Sequence, residues 1–349
     1  VSLAGVVNME ARGLSRHSSR SIATALAIVA LAVLASLTAG VNAQAFPGPK
    51  PISIVVPFTA GGPTDRLARD LAEALRKPLG VSSIVVENVL GAGGAIATQK
   101  VARAAPDGHT VLIHHIGMAT MPALNRNLGF KVETDFSYLG MIHEVPMTIV
   151  ARPTMEANDY KQLSGWIMKQ KDKVNLGNAG VGSASHLCGL LWQAAMKTEL
   201  TTIPYKGVSM AITDLMAGQI DVLCDQTSNT MAYIETNKVK AYAVTTPKRL
   251  TQPTFSNLPT MQELGVKGFQ ISIWHGAYGP SGLSDITQMK WNNALRTVLS
   301  DPAFIKKQQD LGAVMINDKR MEPAEHKKFV LSEINKWTPV IKAAGVYAD

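Results

Sequence analysis

The chain has 349 residues, with 34 Lys and Arg against 26 Asp and Glu, two Cys, 28 Gly and 18 Pro. This length predicts about two domains, because single hydrophobic cores stop growing at roughly 250–300 residues. The composition excludes a collagen, a coiled coil and a wholly disordered chain, and two cysteines are too few for a disulfide framework or a structural zinc site. The net charge of +8 is compatible with an anionic partner but does not name one.

Residues 1–45 have the pattern of an export signal. Three arginines within Arg12–Arg20 precede the apolar run Ile22–Leu37, and small residues follow that run. This order is typical of a secretory signal peptide and predicts cleavage near Ala43 or Ala45, which places the mature protein in the periplasm. A membrane anchor is the alternative, but the apolar run of 16 residues is shorter than the ~20 that a spanning helix needs.

Without that segment the charge is modest. The remaining 304 residues carry 31 basic and 25 acidic side chains, a net charge of +6. Short lysine pairs such as Lys306-Lys307 lack the interleaved aromatic residues of a nucleic-acid-binding stripe. We therefore expect no nucleic-acid partner, and no second apolar stretch of the sequence reaches membrane-spanning length.

Short strand-like runs alternate with helix-like runs along the rest of the chain. The apolar run Ile52–Val56 lies between two prolines and predicts a strand buried on both faces, and Thr64–Leu75 carries apolar residues at helical spacing. The further predicted elements are Ile84–Val86, Ile96–Ala102, Val111–His114, Met147–Val150, Tyr160–Met168, Val174–Gly177, His186–Met196, Met210–Ala217, Val222–Cys224, Met231–Ile234, Tyr242–Thr245, Ile271–Tyr278, Ile286–Leu299, Pro302–Asp310 and Pro323–Ala344. Strands separated by helices predict βαβ units and mostly parallel sheets.

This alternation predicts an α/β protein with two lobes. Residues 46–150 together with about 246–349 form lobe 1, and residues from about 151 to 245 form lobe 2. The segment 246–259, rich in Pro and Thr, is the irregular connection that returns the chain to lobe 1. Ligands of such sheets bind beyond the carboxyl ends of the strands, so we expect a ligand cleft between the lobes.

A glycine-rich loop after the first strand is a candidate anion site. Gly61 and Gly62 permit close approach of a ligand to the backbone, and Thr64 or Asp65 can cap the next helix. The backbone N–H groups and the dipole at a helix N-terminus attract anions. The same segment also fits a plain capped turn.

A second glycine-rich loop, Gly177–His186, also lies between a strand and a helix. Its glycines, serines and one amide suit an anion held by neutral donors, such as a carboxylate. It has neither the Gly-Lys-Ser/Thr of a phosphate-binding loop nor a G-x-S-x-G elbow. Ser183 or Ser185 paired with His186 would be the nucleophile and base of a hydrolase, which is the competing, enzymatic interpretation.

The remaining polar candidates are weaker. Asp225 follows a predicted strand and could orient a ligand or cap the next helix, and His115 at another strand end is a candidate for a hydrogen bond to a ligand. The histidines follow no metal-site spacing, and the turn Gly91–Gly94 fails the G-x-G-x-x-G pattern, so we expect neither a metal nor a dinucleotide cofactor. Cys188 and Cys224 could pair in an oxidising compartment, which their geometry decides.

Short motifs occur along the whole mature chain in a combination that is more specific than any one loop. They are Pro51-Ile52, Val55–Phe58, Gly61-Gly62, Asp65, Val86–Asn88, Gly91–Gly94, Ala104–Gly108, Gly182-Ser183, His186-Leu187, Pro204–Gly207 and Asp214–Asp221. Together they resemble the Bug family of periplasmic solute-binding receptors, which serve tripartite tricarboxylate-type transporters. The resemblance implies a two-lobed, type II periplasmic-binding-protein fold that closes over a small carboxylate and has no catalytic activity.

The resemblance also implies which residues bind the ligand. In this family the two glycine-rich loops contact the carboxylate, largely through backbone N–H groups and hydroxyls. Carried over to this sequence, these residues are Phe58, Thr59, Gly61, Gly62, Thr64, Asp65, Asn178, Ala179, Gly180, Ser183 and His186, with Asp225 facing the cleft. His114-His115 stands where the family usually has small or hydroxyl residues. A larger or aromatic carboxylate would explain this change, and citrate-like or aliphatic diacids are equally admissible.

The sequence therefore predicts an exported, monomeric receptor for a small organic carboxylate, including a di- or aromatic carboxylate. It would capture the acid between two lobes and deliver it to the membrane subunits of a tripartite tricarboxylate-type transporter. Two alternatives stay open at this point. One is a sensor subunit that presents the ligand to a membrane kinase, and the other is a periplasmic serine hydrolase.

Overall fold

The computed structural model describes residues 46–345 and residue 347. The predicted signal segment and both candidate cleavage sites lie outside these residues. Among the described residues, no helix is both long enough and apolar enough to cross a membrane.

Strands and helices alternate through the described part of the chain. The strands are β1 (Ile52–Val56), β2 (Ile84–Asn88), β3 (Thr110–His115), β4 (Phe136–Ala151), β5 (Asn175–Asn178), β6 (Thr201–Pro204), β7 (Val222–Gln226), β8 (Lys240–Val244), β9 (Ser272–Pro280) and β10 (Val314–Met315). The helices are α1 (Pro63–Leu79), α2 (Ala95–Ala102), α3 (Gly117–Leu124), α4 (Tyr160–Gln170), α5 (Ala184–Met196), α6 (Val208–Met216), α7 (Thr227–Glu235), α8 (Asp285–Leu299), α9 (Pro302–Asp310) and α10 (Pro323–Ala344).

The strands form two sheets that share β4. In the first sheet, β2, β1 and β3 are parallel, and β9, β4 and β10 complete it through antiparallel pairs. In the second sheet, β6, β5 and β7 are parallel, and the last residues of β4, Met147–Ala151, pair antiparallel with β7 and β8. The long strand β4 thus carries the chain from one sheet to the other, and β9 returns it to the first.

The prediction of mostly parallel sheets is wrong for β4 and β9, which run antiparallel to their neighbours. The apolar pattern predicts only Met147–Val150 of β4, because polar residues such as His143 and Glu144 interrupt the pattern before it. His143 is nevertheless buried, since β4 continues through the sheet between β9 and β10. The boundaries of the two lobes, near residues 150 and 245, stay a prediction.

Apolar side chains on one face of α1 pack in one cluster with apolar residues of β1. Helix α1 buries Leu67, Leu71 and Leu75 at helical spacing, in one cluster with Trp291 and Leu295 of α8. Full burial of such a side chain contributes about 1.5–3 kcal/mol to folding. Because α1 is held along its length, the loop between β1 and α1 has a defined position at the end of the sheet.

Cys188 and Cys224 form a disulfide, with their Cα atoms 6.1 Å apart. The sequence leaves this pairing open, and the structure shows it. Cys188 belongs to α5 and Cys224 to β7, so the bond joins the helix that follows the second glycine-rich loop to the strand that ends near Asp225. The disulfide therefore fixes α5, which follows one candidate loop, to β7, which precedes another.

Candidate ligand-binding site

The starts of four helices meet at one small cavity, which we call the inner cavity. Its volume is about 20 Å³. It is lined by Phe58, Gly62, Pro63, Thr64, His115, Ala179, Ser183, Ala184, Ser185, Val208, Asp225 and Gln226. These residues include the starts of α1, α5 and α6 and the residue before α7. The lining has no Lys or Arg, and its only ionisable side chains are His115 and Asp225.

A second, more open cavity, which we call the outer pocket, adjoins the inner one. Its volume is about 260 Å³, and Phe58 and Ala179 line both cavities. The turn Gly91–Gly94 forms part of the outer wall, and Tyr205 and Lys206 form another part. Phe58 and Ala179 are therefore the wall between the inner cavity and a pocket that contains one lysine.

The loop after β1 is organised by the carboxylate of Asp65. It accepts hydrogen bonds from the backbone N–H of Gly61 at 2.8 Å, from Asn88 Nδ2 at 2.9 Å and from two nitrogens of Arg69. Burial raises the pKa of Asp65, but these hydrogen bonds outweigh it and hold the pKa below its ordinary value of 3.8. With its acceptors occupied, Asp65 shapes the loop, and it does not line the inner cavity.

The loop after β5 presents two hydroxyl groups. Ser183 caps α5, because its Oγ accepts a hydrogen bond from the backbone N–H of His186 at 3.2 Å. Ser185 Oγ accepts from the backbone N–H of Ala179 at 2.8 Å, and the two hydroxyl oxygens are 3.2 Å apart. One hydroxyl can donate to the other, which leaves one hydroxyl hydrogen free for a ligand oxygen.

Neither of these serine hydroxyls is hydrogen-bonded to the imidazole of His186. His186 Nδ1 accepts a hydrogen bond from the backbone N–H of Gly182 at 3.3 Å, and burial lowers its pKa to about 4. Among the described residues, no hydrogen bond joins an imidazole nitrogen to Ser183 Oγ or Ser185 Oγ. The arrangement therefore lacks the nucleophile–base contact that the hydrolase alternative requires.

Asp225 is buried at the end of β7 and is held by two donors. Oδ1 accepts from the backbone N–H of Gln226 at 2.7 Å, and Oδ2 accepts from Asn229 Nδ2 at 2.6 Å. Burial raises the pKa of Asp225 to about 7, against the lowering effects of these hydrogen bonds and of Arg66. Below pH 7 the carboxyl group is therefore mostly protonated and does not repel a carboxylate ligand.

Four buried histidines lie in neighbouring strands of the first sheet, His114 and His115 in β3, His143 in β4 and His275 in β9, and His115 also lines the inner cavity. The ring centroids of His115 and His275 are 5.8 Å apart, those of His114 and His115 are 4.8 Å apart, and those of His143 and His275 are 4.8 Å apart. Burial lowers the pKa of each ring, to about 3 for His114 and His275. In the described part of the chain, no group of three or more His, Cys, Asp or Glu is arranged to hold a metal ion.

Polar contacts join the loops of the first sheet to those of the second. Thr59 Oγ1 lies 2.5 Å from Ser209 Oγ at the start of α6, and Arg66 donates to the carbonyl oxygen of Ser228 at 3.0 Å. Thr120 donates from Oγ1 to the carbonyl oxygen of Gly182 at 3.1 Å. The two sets of loops are thus in direct contact around the inner cavity, as expected for a closed cleft.

Two glycines make this close approach possible. A Cβ atom on Gly93 would lie 1.8 Å from the carbonyl oxygen of Val181. A Cβ atom on Gly207 would lie 2.0 Å from Thr59 Oγ1 and 2.8 Å from the backbone nitrogen of Thr59. In both cases the glycine and its neighbour lie in loops that follow strands of different sheets, so a side chain at either position would push the two sets of loops apart.

The structure brings seven of the thirteen predicted site residues to the inner cavity. These are Phe58, Gly62, Thr64, His115, Ala179, Ser183 and Asp225. Gly180 lines the outer pocket, and Thr59, Gly61, Asp65, Asn178 and His186 line neither cavity. Direct contact of any of these residues with a ligand stays a prediction.

Five lining residues were not predicted as ligand contacts, namely Pro63, Ala184, Ser185, Val208 and Gln226, and Ser185 was considered only as a candidate nucleophile. Val208 follows a Gly at the start of a helix that comes after a strand, which is the same pattern that marks the other two loops. The glycine of the motif Tyr205-Lys206-Gly207 could therefore have identified the start of α6 as a third candidate loop.

The fold and the cavity are those of a receptor for a small ligand. Residues 67–346 match the family described as the tripartite tricarboxylate transporter family receptor. The chain belongs to this family, and the resemblance to Bug-type receptors and the α/β, two-lobed fold class are both confirmed.

Similar proteins support this assignment. A protein of Agrobacterium vitis, the "UPF0065 protein in the TAR-I ttuE-ttuC' intergenic region", is 42% identical over 84% of each chain. The solved structure of the periplasmic binding protein BugD is 45% identical, has a TM-score of 0.81, and is matched over 85% of this chain and 98% of its own. MatC from Rhodopseudomonas palustris with bound malate is 34% identical, with a TM-score of 0.79 over 83% of this chain and 98% of its own.

Proposed function

We propose that this protein is an exported receptor that captures a small organic carboxylate between its two lobes. It delivers the acid to the membrane subunits of a tripartite tricarboxylate-type transporter. The observation that carries the proposal is the inner cavity, where four helix N-termini and neutral donors meet without a lysine or arginine. Lobe 1 comprises residues 46–150 and about 246–349, and lobe 2 comprises residues from about 151 to 245.

Neutral donors at helix starts suit a carboxylate. Backbone N–H groups in the first turn of a helix have no partner within the helix, and the helix dipole favours a negative charge there. Thr64 and Ser183 add hydroxyl groups at the starts of α1 and α5. MatC, which is similar over most of this chain, is described with bound malate, a diacid. We infer that a small organic carboxylate, such as a diacid, is the ligand class.

Capture requires the cleft to open. The inner cavity of about 20 Å³ has room for about one water molecule, so a diacid cannot enter the closed arrangement. The loops are joined mainly by single hydrogen bonds such as Thr59–Ser209 and Arg66–Ser228, each of which contributes about 0.5–1.5 kcal/mol. Binding then shifts an equilibrium from an open state towards a state in which the loops close around the acid and present both lobes to the transporter.

Other features agree with an exported receptor. The Cys188–Cys224 disulfide is of the kind that persists in oxidising compartments, and the first 45 residues have the pattern of a signal peptide. The family supplies receptors to transporters, and Ser183 and Ser185 lack a contact to an imidazole. We therefore assign a periplasmic binding role rather than catalysis.

A panel of acids tests the proposal. We expect at least one of acetate, succinate, malate, adipate, citrate and benzoate to bind with one-to-one stoichiometry in a calorimetric titration at pH 6. The same acid should raise the melting temperature, because a ligand at 100 times its Kd stabilises the folded state by about 2.7 kcal/mol. Acetamide and succinamide serve as uncharged controls. If none of the acids binds at millimolar concentration, the proposed function is wrong.

A further inference from the structure

His115 ends β3 and lines the inner cavity, and its ring is fixed in one tautomer. Nδ1 accepts a hydrogen bond from the backbone N–H of Gly117 at 2.9 Å. A ring nitrogen that accepts a hydrogen bond carries no proton, so the neutral ring carries its proton on Nε2. Burial lowers the pKa of His115 well below 6.5, and His114 and His275 lower it further, which keeps the ring neutral.

The Nε2–H group has no acceptor among the described residues. Phe58 covers one face of the ring, with centroids 4.8 Å apart and planes at 21°, and this stacking uses no hydrogen bond. His114 and His275 pack edge-on against the ring. His115 is 2% exposed and lines the inner cavity, and its Nε2 is not among the fully buried atoms without a partner, whereas His114 Nε2 is. The inner cavity is the place from which an acceptor can reach it.

We propose that His115 is a specificity-determining residue whose Nε2–H donates a hydrogen bond to an oxygen of the bound acid. This inference rests on the proposed function. Because the ring is neutral, it adds a donor without adding a charge, as Thr64 and Ser183 do. The ligand must therefore present an acceptor oxygen to His115. An ionised carboxylate meets this requirement with either oxygen and with a charge-assisted hydrogen bond, whereas the corresponding amide has one neutral acceptor oxygen, because its –NH2 group only donates.

Two replacements of His115 separate hydrogen bonding from packing. In His115→Gln, an amide N–H stands near the position of Nε2–H, whereas His115→Phe keeps a flat ring that can stack on Phe58 but has no donor. Both variants lack Nδ1, which accepts the hydrogen bond from the backbone N–H of Gly117, so the loss of this hydrogen bond is the same in both. We expect the Phe variant to bind the best acid of the panel about 10- to 100-fold more weakly. The Gln variant should stay within about threefold of the wild type.

A third replacement covers the case in which loss of the Gly117 contact disturbs the fold. His115→Asn places its amide near Nδ1, so it keeps an acceptor for Gly117 but has no donor at Nε2. It should lose affinity as the Phe variant does, and the melting temperatures of the ligand-free variants report whether each is folded.

The outcomes are separable. Wild-type affinity in the Phe or the Asn variant would show that binding does not use the Nε2–H donor and would overturn the role of His115. Equal losses in the Gln and Phe variants would overturn it too, because a donor at the Nε2 position would then bring no gain. A wild-type protein that binds no acid in the same titration would instead overturn the proposed function itself.

Discussion

Replacing Gly207 by Ala should weaken binding of the carboxylate by about 10- to 100-fold and leave the ligand-free protein folded. Gly207 has φ of 174°, an extended conformation that alanine adopts without strain. Its new Cβ would lie 2.0 Å from Thr59 Oγ1 and 2.8 Å from the backbone nitrogen of Thr59. Since Thr59 follows β1 and Gly207 precedes α6, the clash exists only when the two sets of loops are in contact.

The size of this effect follows from the cost of overpacking. A forced contact of this kind costs about 1–3 kcal/mol, and here the cost falls on the closed state alone. If the ligand-bound state brings Thr59 and Gly207 as close together as they are here, the clash raises the free energy of that state and the apparent Kd rises in proportion to the fall in its population. Each 1.4 kcal/mol is about tenfold in affinity, which gives the stated range.

Gly165→Ala is the matched control for Gly207→Ala. Gly165 lies in α4, and a Cβ at this position meets no atom within 4 Å. The control should bind with wild-type affinity, and its helix should gain stability by up to about 1 kcal/mol. Calorimetric titration of both variants with the best acid, together with their ligand-free melting temperatures, checks the prediction. Wild-type affinity in Gly207→Ala would mean that binding does not need the contact between these loops.

Replacing Asp225 by Asn should stabilise the protein more at pH 8 than at pH 5. The pKa of Asp225 is about 7 in the folded protein, against an ordinary value of 3.8. Between these values the folded state holds a proton that the unfolded state has released. Wild-type stability from this group therefore falls as pH rises from about 4 to 7. The amide of the variant does not titrate, so the variant's free energy of unfolding does not fall with pH in this way.

The expected magnitude is on the order of 2–3 kcal/mol between pH 5 and pH 8. The local hydrogen bonds can survive the change. Gln226 N–H can still donate to the new amide oxygen, and the amide nitrogen can donate to Asn229 Oδ1 once the Asn229 amide, whose Nδ2 now faces Asp225, turns over. Urea unfolding of both proteins at the two pH values gives the difference directly. A difference that does not change with pH would show that Asp225 is already ionised at pH 5.

Some elements are predictable from the sequence because local signals define them. The bounds of β1, α9 and α10 agree with the predicted ones. Pro51 and Pro57 bracket β1, and Asp301 caps α9 by accepting hydrogen bonds from the first backbone N–H groups of the helix. The two glycine-rich loops are likewise recognisable, since each lies between a buried strand and an amphipathic helix.

Other elements depend on tertiary contacts that no local signal reveals. Helix α3 begins at a glycine, contains Pro122 and is buried along most of its length, so packing rather than propensity maintains it. Strand β6 is short, contains Pro204 and pairs along one side only, with β5. Strand β10 has two residues and exists through its pairing with β4.

The site shows the same division. The sequence identifies Gly62, Thr64, Ser183 and Asp225 as candidates, and the structure places all four on one cavity. The contact between Thr59 and Ser209 joins residues that are 150 positions apart, so it follows only from the fold. The tautomer of His115 likewise depends on the position of a backbone N–H group, which residue types alone do not specify.

The central claim is that one carboxylate is held between the two lobes by helix starts and neutral donors. A crystal structure of the protein with the best acid of the panel tests it most directly. We expect a carboxylate oxygen within hydrogen-bonding distance of Gly62 or Thr64 at the start of α1, and of Ser183 or Ser185 at the start of α5. An acid bound outside the inner cavity, or held by only one of these two loops, would contradict the account.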